Sequence, residues 1–243
     1  MQIDAVIFDC DGTLVDSERL ANEVLVEFVV EFGLSMSVDD AVRAYTGGKM
    51  ADCVADLERL LGRQLQDGFV ADLRARTAAA FVNRLKPMAG AREAVSRLRV
   101  PCCVASSGPR EKIELSLRTT GLLDLFEGSI FSSYEVGFWK PDPRLFLHAA
   151  AKLGVSPECC AVVEDSVHGV TAAISAGMRT FAFDPHGQLD QNWNWPESVT
   201  RLARLADLPD QIGALGPERE LRSEECIYAS DRQTPSEILG AKG

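Results

Sequence analysis

Short apolar runs alternate with amphipathic segments along most of the chain. Residues 3–8 form a mostly apolar, β-branched run, which is typical of a strand buried on both faces of a sheet. Similar runs predict four further strands, at residues 101–105, 128–131, 159–163 and 180–183. Segments with helical periodicity accompany them, at residues 91–98, 109–119, 143–153 and 167–176. This alternation predicts an α/β protein with a Rossmann-like, doubly wound parallel sheet.

A purely helical block interrupts the pattern after the first strand. Within residues 17–32, four apolar side chains recur at the spacing of one helix face: Leu20, Val24, Phe28 and Phe32. Amphipathic segments without a convincing strand follow at residues 38–45, 50–61 and 66–85. We therefore predict a small helical domain inserted into the sheet domain. The predicted spans are 16–87 for the helical domain, and 1–15 with 88–212 for the sheet domain.

The pattern weakens after residue 184. Trp193 and Trp195 lie in a polar stretch that predicts a loop. A modest helix is expected over residues 198–205. The polar, weakly periodic residues 213–243 are expected to form a tail that is ordered only if it docks.

Composition narrows the range of partners. The 243 residues carry a formal net charge of −11, which argues against nucleic acid or an anionic membrane as the partner. No apolar run approaches the roughly 18 residues needed to span a bilayer, and no signal peptide is evident. The seven cysteines form no CxxC pair, and their odd number predicts reduced thiols in a cytoplasmic protein. We expect a small-molecule ligand and a monomer or weak homodimer.

Two carboxylates, Asp9 and Asp11, follow the first predicted strand. Alternate residues of an extended chain face the same way, and ligands of α/β sheets lie at the carboxyl ends of the strands. Gly12 permits a sharp turn directly after them. We expect both carboxylates to converge on one reacting centre. The alternative is an ordinary turn, in which Asp and Gly are common for local reasons.

Ser106, Ser107 and Gly108 follow the next predicted strand and precede a predicted helix. Hydroxyl groups and free backbone N–H groups at a helix N-terminus form an anion site. These residues are therefore candidates for binding phosphate. Simple capping of the helix by a serine would account for the same residues.

Lys140 lies between Trp139 and two prolines, immediately before a predicted helix. The prolines stiffen the backbone, so this lysine is expected to be held in place. In an acidic protein, a held lysine is a candidate for binding an anionic ligand. An ordinary surface lysine is the alternative.

Glu164 and Asp165 end another predicted strand. Adjacent carboxylates at the end of a buried strand repel each other unless a cation neutralises them. Mg²⁺ fits best, because it prefers oxygen ligands and is commonly shared with substrate phosphate. The alternative is that Asp165 or Ser166 merely caps the next helix.

Lys49 lies in a Gly-Gly-Lys turn between two helices of the inserted block. A flexible turn that carries a cation is a candidate substrate contact. An exposed loop lysine is an equally good explanation.

Four predicted strand ends thus carry two acids, an anion site, a lysine and two further acids, a combination that suits phosphoryl transfer through a carboxylate. In this order they resemble the four motifs of the haloacid dehalogenase-like phosphohydrolases. The corresponding residues are Asp9-Cys10-Asp11-Gly12-Thr13, Ser106, Lys140 and Glu164-Asp165. The resemblance covers residues 1–185. The helical block is similar to the cap of the phosphoglycolate phosphatase and β-phosphoglucomutase subgroup. Within that subgroup the chain most resembles sugar-phosphate phosphatases of the 6-phosphogluconate phosphatase type, through residues 9–18, 47–49 and 139–143.

This resemblance implies a role for each motif. Asp9 would attack phosphorus and form an aspartyl phosphate, and Asp11 would act first as acid and then as base. One Mg²⁺ would be held by the side chains of Asp9 and Asp165 and by the backbone carbonyl of Asp11. Glu164 would bind the ion directly or contact one of its ligands. Ser106, Lys140 and backbone N–H groups would hold the phosphoryl oxygens.

The chain also departs from some members of that family. β-Phosphoglucomutases carry a histidine early in the first cap helix, where this chain has Ala21, and true dehalogenases lack the acid that Asp11 provides. We therefore expect a Mg²⁺-dependent phosphatase of small sugar phosphates. A phosphomutase and a non-catalytic protein that binds phosphate ligands are the alternatives.

Overall fold

A six-stranded parallel sheet forms the centre of the molecule. The structure is a computed structural model that describes residues 2–46, 48–185, 189 and 196–214. The strands are β1 (Ala5–Phe8), β2 (Cys102–Ser106), β3 (Ile130–Ser132), β4 (Cys160–Glu164), β5 (Arg179–Phe183) and β6 (Val199–Leu202). Their order across the sheet is β3-β2-β1-β4-β5-β6, and every neighbouring pair is parallel. The predicted doubly wound parallel sheet is confirmed.

The helices lie between the strands along the chain and after the last strand. Those inserted between β1 and β2 are α1 (Glu18–Val29), α2 (Val38–Tyr45), α3 (Met50–Leu61), α4 (Phe69–Arg84) and α5 (Ala91–Arg97). Those that follow β2 are α6 (Arg110–Thr119), α7 (Ser133–Val136), α8 (Arg144–Leu153), α9 (Val167–Ser175) and α10 (Leu208–Ala214). A 3₁₀ turn, Val30–Phe32, continues α1 to the end that its apolar stripe predicts.

The strand β1 lies in the middle of the sheet and is buried along its whole length. Val6 and Phe8 point to one face, where helices α5, α6 and α10 cover the sheet. Ala5 and Ile7 point to the other face, which α8 and α9 cover. This alternation is the period-2 pattern of a strand buried on both sides. The candidate residue Asp9 and then the inserted helices follow the carboxyl end of β1.

Helices α1 to α4 form the cap and pack around a hydrophobic cluster of their own. Phe28 of α1 stacks on Phe69 of α4, with ring centroids 5.0 Å apart. The two segments that connect the cap with the sheet domain, residues 14–16 and 86–88, lie side by side. Asp16 N–H donates to the Lys86 carbonyl at 3.0 Å, and Met88 N–H donates to Leu14 at 2.9 Å. The predicted boundaries at 15/16 and 87/88 remain predictions, which this pairing supports.

The helix predicted over residues 198–205 is wrong. Residues Val199–Leu202 form β6, which pairs in parallel with the outer side of β5. Two β-branched residues begin the strand, and they favour extended backbone where a neighbouring strand edge is open to pairing. The last helix begins later and ends at Ala214, two residues into the predicted tail. Trp193, Trp195 and residues 215–243 lie outside the described residues.

Two expectations from composition also bear on the described part of the chain. None of its helices is long and apolar enough to cross a bilayer. Its six cysteines carry free thiols, and most of them are buried. The oligomeric state remains a prediction.

Candidate active site

Asp9 extends β1 by one residue at the open end of the sheet. Its N–H donates to the carbonyl of Val163 on β4 at 2.9 Å, which continues the pairing of the two strands. The side chain is only 9% exposed. A buried carboxylate requires a partner of opposite charge or several hydrogen bonds.

Lys140 provides that partner. Its ammonium group, in a side chain 5% exposed, donates hydrogen bonds to Asp9 Oδ1 and to Glu164 Oε1, the latter at 2.7 Å. Ser166 donates to the other oxygen of Glu164, from its N–H at 2.7 Å and its hydroxyl at 2.9 Å. The two predicted acids and the predicted lysine are therefore in contact, and both oxygens of Glu164 are engaged.

Asp165 lies against the turn that follows Asp9. Its Oδ1 accepts a hydrogen bond from the Thr13 hydroxyl at 2.9 Å. Gly12 has a φ of +78°, and a Cβ added there would lie 2.0 Å from Asp165 Oδ2. Glycine is therefore required twice, for the left-handed turn and for the approach of the carboxylate.

Asp11 is held by two donors. The Ser17 hydroxyl donates to its Oδ1 at 2.6 Å, and the Lys112 ammonium group donates to its Oδ2 at 2.9 Å. Burial would raise the pKa of Asp11, but the charge of Lys112 and these hydrogen bonds hold that pKa below its ordinary value. The structure thus presents Asp11 as a carboxylate.

The turn after β2 lies beside these acids. Ser106 is the last residue of β2 and is 2% exposed, and its Oγ accepts a hydrogen bond from Gly108 N–H at 3.1 Å. A Cβ added at Gly108 would lie 3.5 Å from Ser106 Oγ and 3.7 Å from Asp11 Oδ2. Ser107, which lies between Ser106 and Gly108 in the sequence, is half-buried. The predicted anion site therefore adjoins the predicted acid pair.

Lys49 is exposed at the residue before α3, in the cap. No ion pair within the described part of the chain involves it, and Gly47 of the same turn lies outside the described residues. Its contact with a substrate remains a prediction.

Negative charge accumulates where the first and fourth motifs meet. Burial raises the pKa of Asp9 to about 7 against the opposing charge of Lys140, and the charges of Glu164 and Asp11 add smaller contributions. Burial and the charges of Glu164 and Asp9 raise the pKa of Asp165 well above its ordinary value. The nearby positive charge does not neutralise the carboxylates of Asp9 and Asp165, and a bound cation would do so.

The donors available for such a cation suit Mg²⁺. Among the described residues, no group of three or more His, Cys, Asp or Glu side chains meets the geometry of a metal site. The ligands that the sequence predicts are two carboxylates, Asp9 and Asp165, and the backbone carbonyl of Asp11. Mg²⁺ is bound by one or two carboxylates together with waters and substrate phosphate, so this donor set fits.

Sequence reasoning missed two charged residues of the site. Lys112 lies in the first turn of α6, 101 positions from Asp11, and resembles a solvent-facing lysine. Glu18 is the first residue of α1; burial and the charge of Asp11 raise its pKa to about 7. No local pattern distinguishes either residue, although a helix that follows an anion-binding turn is a reasonable place to look for a lysine.

Comparisons with known proteins give a family and several relatives. The model of the haloacid dehalogenase-like hydrolases matches residues 3–177. The 6-phosphogluconate phosphatase of Escherichia coli is 35% identical over 218 residues, which cover 88% of this chain and 97% of that protein. Hexitol phosphatase B of Escherichia coli is 33% identical over 218 residues, which cover 86% of this chain and 94% of that protein.

A solved structure gives the same result. A HAD family hydrolase from Deinococcus radiodurans, determined with bound phosphate and sodium, superposes with a TM-score of 0.69 and is 31% identical. The match covers 89% of this chain and 99% of that one. The likeness therefore extends over both the sheet domain and the inserted helices.

Proposed function

Because this chain belongs to the haloacid dehalogenase-like hydrolases, we propose that it is a Mg²⁺-dependent phosphatase of small sugar phosphates or phosphorylated sugar acids. The observation that carries the proposal is the buried contact of Lys140 with Asp9 and Glu164 at the end of β1. It supports the proposal because a carboxylate that could act as nucleophile and a cation that could bind a phosphoryl group lie side by side. An aspartyl phosphate on Asp9 is the intermediate that we propose.

Asp9 has one oxygen available for attack. Lys140 donates a hydrogen bond to Asp9 Oδ1, and Asp9 Oδ2 accepts no hydrogen bond from the described residues. In the first step, an oxygen of Asp9 would form a bond to phosphorus while the bond from phosphorus to the sugar oxygen breaks. Asp11 would first take up a proton from solvent or from the bound substrate, would give it to the departing oxygen, and would later take one from the attacking water.

Asp9, Asp165 and the backbone carbonyl of Asp11 would hold Mg²⁺. When bound, the ion would neutralise charge so that an anionic carboxylate can approach an anionic phosphate. Glu164 accepts hydrogen bonds at both oxygens. We therefore propose that it orients Lys140 and lies beside the metal ligands. Gly12 and Thr13 would keep Asp165 in position.

Ser106, Lys140 and the backbone N–H group of Ser107 would hold the phosphoryl oxygens, while Gly108 N–H donates to Ser106 Oγ and orients that hydroxyl. The last strand residue and the turn after it present these donors before α6 begins. Donors fixed before the reaction stabilise charge as it develops and require little reorganisation.

The substrate class follows from the relatives and the cap. Two relatives above 30% identity are named for phosphates of a sugar acid and of hexitols, and the cap helix α4 of this chain packs against α6, the helix that follows the proposed phosphate-binding turn. We propose a phosphorylated sugar or sugar acid, with Lys49 in the cap as a candidate contact. A cap that closes over the site would exclude water during attack.

Phosphate release tests the proposal. The purified protein is incubated with 6-phosphogluconate, hexitol phosphates and phosphoglycolate, with and without Mg²⁺, beside the Asp9→Asn variant. We expect Mg²⁺-dependent release that the variant lacks. No release from any ester, or an active Asp9→Asn variant, would refute the proposal, and transfer of phosphate to a sugar hydroxyl in ³¹P NMR spectra would indicate a mutase instead.

A further inference from the structure

Lys112 is a half-buried lysine beside the proposed reacting groups, and the roles assigned above do not use it. Its ammonium group donates to Asp11 Oδ2 at 2.9 Å, while the Ser17 hydroxyl donates to Oδ1 at 2.6 Å. The side chain of Lys112 is 34% exposed and that of Asp11 is 14% exposed. Each oxygen of Asp11 thus has a donor, which fixes the orientation of the carboxylate.

The lysine itself is held between the core and the cap. Its stem passes the turn after β2, where a Cβ added at Gly108 would lie 3.6 Å from Lys112 Cδ. Its ammonium group lies 5.8 Å from the ring centroid of Phe81, a fully buried residue of α4. A cation over an aromatic face is favourable at this distance. Lys112 therefore contacts the second motif, the cap and Asp11 at once.

We propose that Lys112 is the positioning residue of Asp11, and that it serves the half of the reaction in which Asp11 accepts a proton from water. The inference rests on the function proposed above. Both neighbours of Asp11 donate hydrogen bonds, so its carboxylate is held as an acceptor. A carboxylate has about four lone-pair positions, of which two then remain for the attacking water.

In that half-reaction the water oxygen forms a bond to the phosphorus of the aspartyl phosphate. The bond between phosphorus and Asp9 breaks, and its electron pair returns to the Asp9 carboxylate. The proton lost by water goes to Asp11, and inorganic phosphate leaves. A general base must lie within hydrogen-bond reach of the proton it removes, so a carboxylate that turns away from the water slows this step.

p-Nitrophenyl phosphate separates the two halves, because p-nitrophenolate leaves without a proton. We expect Lys112→Met to lower kcat about 10- to 100-fold, a part of what a general base supplies. The first half should continue, so rapid mixing should reveal a burst that approaches one p-nitrophenolate per protein molecule. Lys112→Arg keeps the charge and should recover part of the loss. Ser17→Ala removes the other donor and should show the same selective slowing.

A double variant tests whether Lys112 acts through Asp11. Asp11→Asn combined with Lys112→Met should turn over no more slowly than Asp11→Asn alone. Lys152→Met, exposed at the end of α8, should match the wild type, and thermal unfolding should confirm that each variant folds. The inference would be overturned by unchanged turnover of Lys112→Met, by slower turnover without a burst, or by additive losses in the double variant. If Lys112→Met does not fold, Ser17→Ala decides by the same criteria. A wild-type protein that releases phosphate from no ester would instead refute the proposed function.

Discussion

The ammonium group of Lys140 donates a hydrogen bond to the carboxylate of Asp9, although the two residues lie 131 positions apart in the chain. Both side chains are buried, and Glu164 accepts a second hydrogen bond from the same ammonium group. The contact joins the first, third and fourth motifs in one arrangement. Its removal should therefore affect both stability and catalysis.

Lys140→Met should destabilise the fold strongly. The change leaves Asp9 and Glu164 buried without their cation, and removal of one partner of a buried ion pair costs about 3–5 kcal/mol. The free energy of unfolding from urea denaturation measures the loss. Lys152→Met is the control, and exposed substitutions change stability by about 0.5 kcal/mol or less. A loss below about 1 kcal/mol for Lys140→Met would contradict this account.

Ser106→Ala should lower kcat/KM by about 100-fold, because one fixed donor to the developing charge is lost. Ser107→Ala is the matched control next to it in the turn. Its backbone N–H survives the substitution, so its loss should stay below about tenfold. Steady-state kinetics on the best phosphate ester compare the two. Equal losses would mean that the hydroxyl of Ser106 has no special place in the site.

Gly12→Ala should weaken Mg²⁺ binding as well as the fold. The new Cβ would collide with Asp165 Oδ2 and displace that carboxylate. Gly33→Ala is the control, because Gly33 has a φ of +93° but no atom within 4 Å of the added Cβ. Backbone strain alone costs about 1–2 kcal/mol in both variants. Only Gly12→Ala should raise the Mg²⁺ concentration needed for half-maximal activity, and a rise in both would refute the explanation.

Stabilisation by Mg²⁺ should grow with pH. The pKa of Asp9 is about 7 in the folded chain and 3.8 ordinarily, so the folded state binds more protons than the unfolded state between these values. Without metal, this group therefore makes the fold less stable as pH rises through that window. Mg²⁺ binds the ionised carboxylates, and it should raise the melting temperature more at about pH 8 than at about pH 5.

The Asp9→Asn variant provides the control for this pH dependence. It lacks the titrating carboxyl and should show a smaller difference between the two Mg²⁺ effects. An equal increase in melting temperature at both pH values in the wild type would show that the acid cluster does not titrate in this range.

The chemistry of the site could be predicted from sequence because each motif is local. An apolar run followed by Asp9 and Asp11, a serine turn before a helix, and adjacent acids after a strand are patterns within a few residues. The order of strands and helices indicated a parallel sheet, and such a sheet brings its strand ends to one edge. The candidate residues of the core therefore followed from the sequence.

Only the tertiary structure decided which charges meet. Whether Lys140 contacts Asp9, and whether Lys112 rather than another lysine reaches Asp11, depends on the packing of elements more than 100 positions apart. The strand β6 was missed for a related reason, since its short, half-polar sequence favours a strand only where the edge of β5 is available for pairing. Local propensity operates over a few residues, whereas these pairings depend on the register of parallel strands and the burial of charge between helices.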